Sequence, residues 1–109
     1  MDENKEMFEK LVQGLRDIYG GLLVSVLLYG SFARKTNTKE SDIDIAVLLN
    51  GKETKEMHDR MVELAVDMDL EYDQVFSVIN IEYSLFVEWE NVLPFYKNIK
   101  EEGIVLWAA

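Results

Sequence analysis

Two carboxylates, Asp42 and Asp44, stand at the head of the apolar run DIDIAVLL. On a β-strand, positions i and i+2 point to the same face, so the pair projects side by side. Carboxylates that close repel unless a proton or a cation lies between them. Oxygen donors without histidine or cysteine suit Mg²⁺ or Mn²⁺ rather than zinc. Aspartate is disfavoured in strands, which separates this pair from an ordinary solvated strand start. A second feature lies upstream, where Gly30-Ser31 follows directly on the apolar run LLVSVLLY. Glycine lets a backbone approach a ligand closely, and free N–H groups at a helix start attract phosphate. Alone, Gly-Ser after a strand is an ordinary turn. With the aspartates it supplies the other half of a metal–nucleoside triphosphate site.

These residues need strand ends beside one another, and the sequence supplies the elements. Met7, Phe8, Leu11, Val12, Leu15, Ile18 and Tyr19 recur at helical spacing, which predicts a helix over 3–19 stopped by Gly20-Gly21. Residues 22–29 read as a buried strand, and FARK after Gly30-Ser31 as one helical turn. Residues 42–49 read as a second strand closed by Asn50-Gly51. Met57, Met61, Leu64, Ala65 and Met68 mark a helix over 53–68, and 72–81 reads as a third strand. A short helix over 83–89, a break at Pro94, a helix over 95–102 and the tail IVLW complete the chain. That tail is expected to add an edge strand or to pack on the core. The order α-β-α-β-α-β-α predicts an α/β (α+β) fold with a small mixed sheet flanked by helices.

A chain of 109 residues allows one small domain, 1–109, and not two. Cysteine is absent, so disulfides, thiolate catalysis and zinc–sulfur sites are excluded, and one histidine cannot build a histidine cluster. A net charge of −10 disfavours nonspecific binding to nucleic acid or anionic membrane. The amino end MDENKEMFEK lacks an apolar signal core, and no apolar run approaches the ~18 residues of a membrane span. The expectation is a soluble, cytoplasmic domain. His58 reads as a surface residue, and the methionines at 57, 61 and 68 as core filling. Most of the aromatics in the last third are expected to cap the sheet, with some left for a dimer or partner surface.

Gly30-Ser31, then FARKTNTKES, then Asp42-x-Asp44 resembles the signature of the polymerase-β-like nucleotidyltransferase superfamily. More narrowly it resembles the minimal nucleotidyltransferases, the MntA-type antitoxins. The resemblance implies an ATP-dependent enzyme in which Asp42 and Asp44 hold two Mg²⁺ ions. Asp73 matches the carboxylate that the family carries on its next core strand, and would complete the acceptor-side ion. Asp69 and Glu71 lie close enough for a register slip to exchange that role. One ion, with Gly30 and Ser31, would clamp the triphosphate. The other would activate an acceptor hydroxyl for in-line attack on the α-phosphorus, with Asp73 taking its proton. Arg34, Lys35 and Lys39 would meet the departing phosphates. Where the family often has glycine after this arginine, the chain has Lys35.

Larger members carry a second helical domain for the acceptor, for which this chain has no room. The acceptor must then dock from outside or across an interface, as in a homodimer or hetero-oligomer. The resemblance implies a HEPN-type toxin as partner, neutralised by transfer of AMP to a hydroxyl, typically of tyrosine. Two rival readings stand beside it. One is a catalytically weak binding module that blocks its partner stoichiometrically, and the other is an enzyme acting on a small molecule such as an aminoglycoside.

Overall fold

The computed structural model describes residues 3–109. Helix α1 spans Glu3–Tyr19, and a 3₁₀ turn over Gly20–Leu22 leads into strand β1, Leu23–Tyr29. Helix α2, Gly30–Arg34, begins at the first residue after β1, two residues before FARK, the predicted helical turn. Strand β2 is Ile43–Leu49, so Asp42 sits just before it. Helix α3, Lys55–Tyr72, starts at the N-cap Thr54, whose hydroxyl accepts from the Met57 amide at 3.1 Å. Strand β3 is Phe76–Glu82, helix α4 Tyr83–Trp89 and helix α5 Pro94–Glu102 with proline in the first turn. The tail forms strand β4, Ile104–Ala108, settling the alternative left open by the sequence.

The predicted third strand over 72–81 starts four residues too early. Helix α3 runs on through Asp69–Tyr72 and stops only where Asp73 adopts the left-handed conformation, φ 51°. The Asp69 carboxylate accepts a 2.7 Å hydrogen bond from the Phe76 amide, so the helix end also starts the strand.

The four strands form one mixed sheet in the order β3-β2-β1-β4. Strand β1 is antiparallel to both β2 and β4, whereas β2 and β3 run parallel through the α3 crossover. Alternation divides the side chains between two layers. Val26, Leu28, Ile43, Ile45 and Val47 pack against Leu11, Leu15, Met61 and Met68 of α1 and α3. Leu27, Ala46, Leu48 and Ile81 meet Phe86 of α4 and Ile99 of α5 on the other face. Each fully buried aliphatic side chain contributes about 1.5–3 kcal/mol through the area it removes from water. Met61 and Met68 are buried in the first layer, as the helical spacing predicts. This two-sided burial fixes which way the residues at the strand ends point, and so sets up the site.

Candidate active site

Asp44 belongs to the set 44, 46, 48 of β2, whose apolar members face α4 and α5. The register puts Tyr29 of β1 opposite it on one side and Ser77 of β3 on the other. Tyr29 and Ser77 share that face, because Tyr29, Ile79 and Ile81 pack in the same layer. A row of Tyr29, Asp44 and Ser77 therefore crosses the sheet at one end. Asp42, one step beyond the strand, is exposed, while Asp44 is half-buried. Burial pushes the Asp44 carboxyl above its ordinary range, Asp42 beside it adds to that, and Arg34 draws it back. Burial likewise pushes the Tyr29 hydroxyl up, with Asp44 adding to it.

Gly30 is what allows α2 to start beside this carboxylate. Its φ is +74°, and a Cβ built on it would land on the Asp44 carboxylate. No side chain caps the start of α2, so its first-turn amides are open to an anion. Ser31 is the second residue of that turn, and half-buried. Arg34 ends the helix, exposed, and donates to the Glu102 carboxylate of α5 at 3.1 Å. Lys35 caps the helix in the left-handed conformation, φ 61°, which glycine would adopt without strain. That accounts for the glycine common at this place in the resembling family. Lys35 and Lys39 are both exposed, in or beside the loop that leads to Asp42.

The structure thus brings together Gly30, Ser31, Arg34, Asp42 and Asp44. It does not bring Asp73 to them. Asp73 is exposed at the end of α3, off strand β3, and lines a cleft of about 220 Å³ with Lys39, Ser41 and Leu70. Glu71 pairs with Lys10, and Asp69 is held by the Phe76 amide, so neither takes its place. Among the described residues, no group of three His, Cys, Asp or Glu side chains comes close enough to hold a metal. The oxygen donors of Asp42 and Asp44, carrying mutual repulsion that a cation would relieve, fit one divalent ion that also binds phosphate.

Other lining residues escape a sequence reading. Phe95, Asn98 and Glu102 of α5 close a cleft of about 230 Å³ with Tyr29, Gly30 and Arg34. Phe95 meets the Tyr29 ring edge-on, 5.8 Å between centroids. Tyr29 could have been found from its place before Gly30, but the α5 residues arrive through long-range packing that leaves no local signal. A larger cavity of about 480 Å³ lies between α1 and β4, where Arg16 stacks over Trp107. It opens on the layer opposite the aspartates, away from this chemistry. His58 is exposed, as expected, and bonds Glu53 at 2.9 Å. Among the described residues no helix is long and apolar enough to cross a membrane.

The nucleotidyltransferase domain family model matches residues 8–106. The Methanocaldococcus jannaschii protein named "Putative protein adenylyltransferase MJ0604" is 33% identical over 98% of this chain and 100% of its own length. A second protein of that organism, "Putative protein adenylyltransferase MJ0141", is 29% identical over 79% of this chain and 91% of its own. Among solved structures, a toxin–antitoxin complex with AMP-PNP superposes with a TM-score of 0.65 at 24% identity, covering 94% of this chain and 73% of that one. The complex of tri-AMPylated Shewanella oneidensis HEPN toxin with MNT antitoxin gives a TM-score of 0.60 at 22% identity, covering 95% and 71%. At those identities the superpositions speak for the fold. The family match and the first relative, each spanning nearly the whole chain, go further: this chain belongs to the nucleotidyltransferase domain family.

Proposed function

We propose that this chain transfers AMP from ATP to a hydroxyl of a partner protein, and that the partner is a HEPN-type toxin. One observation carries the nucleotide half of this reading. The Gly30 backbone and the Asp44 carboxylate share one strand end so closely that no side chain fits between them. That closeness supports reading the turn as phosphate-binding and the aspartates as cation-binding within one site. The partner half draws on what the relatives are called: adenylyltransferases in the curated proteins, and an AMPylated HEPN toxin held by an MNT antitoxin in a solved complex.

In this reading the open amides of Gly30 and Ser31 and the Ser31 hydroxyl receive phosphate oxygens. Arg34, Lys35 and Lys39, from the end of α2 and the loop that leads to Asp42, would offset the charge of the leaving pyrophosphate. Asp42 and Asp44 would hold Mg²⁺, which supplies neutralisation of charge on the triphosphate. The acceptor hydroxyl gives up its proton to solvent water, and its oxygen bonds to the α-phosphorus as the bond to the bridging oxygen of pyrophosphate breaks. The chain is strongly acidic, yet local cations outweigh distant charge that solvent and salt screen.

The direct test is to incubate the chain with ATP, Mg²⁺ and a HEPN-type toxin and weigh the intact toxin. The toxin should gain mass in steps of one AMP, and Asp42→Asn should abolish the gain while still binding the toxin. Full neutralisation by Asp42→Asn without any mass gain would instead establish a stoichiometric binding module.

A further inference from the structure

We infer that the metal site of this chain rests on two protein carboxylates, Asp42 and Asp44, with Ser77 in the place from which a third would reach. The cation is then held firmly only when triphosphate oxygens complete its shell. This inference rests on the reading of the site as nucleotide-binding.

Strands β2 and β3 run parallel, and Asp44 pairs with Ser77. Neighbouring strands lie about 4.8 Å apart, so paired residues on one face are within reach of a shared ligand. Both side chains point toward the α4–α5 layer, and both are half-buried at the same sheet end. The residue next to Asp44 on β3 is therefore a neutral serine.

The acids that precede β3 in sequence are all placed elsewhere. Asp69 is committed to the Phe76 amide at 2.7 Å, and Glu71 to Lys10. Asp73 lies exposed at the end of α3, in the left-handed backbone conformation, and is not part of β3. Arg34 is already paired with Glu102 at 3.1 Å, so the two aspartates are the carboxylates the protein itself offers a dication at this end of the sheet. Mg²⁺ sites of one or two carboxylates depend on substrate phosphates for the rest of their coordination.

No carboxylate of β3 takes the proton of the acceptor hydroxyl, and a second, acceptor-side cation lacks its protein anchor.

Mn²⁺ serves as the probe, with its binding to the folded chain followed by electron paramagnetic resonance with and without AMP-PNP. For the wild type we expect weak binding of Mn²⁺ alone and much tighter binding with the nucleotide. Asp73→Asn should bind Mn²⁺ like the wild type under both conditions. Ser77→Asp should bind Mn²⁺ without nucleotide at least about tenfold more tightly. A tenfold or greater loss in Asp73→Asn, or a folded Ser77→Asp that binds no tighter, would overturn the inference. Asp73 is exposed and asparagine tolerates the left-handed conformation, so Asp73→Asn decides the matter even if Ser77→Asp does not fold. The underlying site reading fails separately, if Asp42→Asn leaves Mn²⁺ binding in the presence of AMP-PNP unchanged.

Discussion

Asp44 lies half-buried at the end of the sheet, beside Asp42. Its carboxyl is raised by burial and by Asp42, with Arg34 opposing, so the folded state holds the proton more tightly than the unfolded one. Ionising it therefore costs stability, beginning near the ordinary value of 3.8 and complete once pH passes the raised folded value. Asp44→Asn should melt a few °C above the wild type at pH 7 without ligand, on the order expected for a domain this size. The difference should vanish below about pH 3.8, where both forms are neutral in the wild type, and melting curves at several pH values check it. Gly30→Ala should behave in the opposite way. Its φ of +74° costs a non-glycine residue about 1–2 kcal/mol, and the new methyl would displace the Asp44 carboxylate. AMP transfer should fall about a hundredfold, because small misplacements at a reacting centre are that costly. At this scale the sequence is most legible: Gly30, Ser31, Asp42 and Asp44 fall in local motifs, whose residue types and family resemblance suggest the chemistry. Asp73 ends α3 instead of joining β3, because sequence proximity to a strand is not membership in it.

Helix α3 explains why. Its apolar spacing is clear up to Met68, and nothing in the residues Asp69–Tyr72 marks helix rather than strand. The outcome depends on tertiary bonds, the Asp69 carboxylate on the Phe76 amide and the Lys10–Glu71 pair reaching across from α1. At its other end α3 is anchored by Glu53, which accepts from the Tyr19 hydroxyl at 2.8 Å and from the Asn80 side-chain amide, and pairs with His58 at 2.9 Å. This knot joins the end of α1, the start of α3 and the middle of β3. Burial alone would raise the Glu53 carboxyl, but the bonds from Asn80, Tyr19 and His58 outweigh it and hold it below its ordinary 4.5. A depressed carboxyl stabilises the fold above the unfolded value and loses that stabilisation as pH falls through the folded one. Glu53→Gln should lose about 1–2 kcal/mol at pH 7, roughly 5–10 °C in Tm, measured by thermal melting. In acid, below the folded value, wild type and variant should converge. None of this network could be read from sequence, since Tyr19, Glu53 and Asn80 are brought together only by the sheet order.

At the scale of the whole molecule, the fold class followed from the alternation of apolar helices and strands, and the mixed sheet with two covered faces agrees with it. Strand order and register did not follow, and they are what set Ser77 rather than an acid beside Asp44. Asp42, Asp44 and the Gly30-Ser31 turn are proposed to form a single site for Mg²⁺ and ATP. Ligand that binds only the folded state stabilises it by about 2.7 kcal/mol at a hundred times its Kd, roughly 10 °C or more for a domain near 100 residues. The most direct measurement is thermal melting with Mg²⁺ and AMP-PNP, of the wild type and of the Asp42→Asn/Asp44→Asn variant. The account predicts a shift of that size that requires Mg²⁺ and nucleotide together and is lost in the variant. A wild type whose Tm does not move at millimolar Mg²⁺ and AMP-PNP, or a double variant that shifts equally, would contradict it.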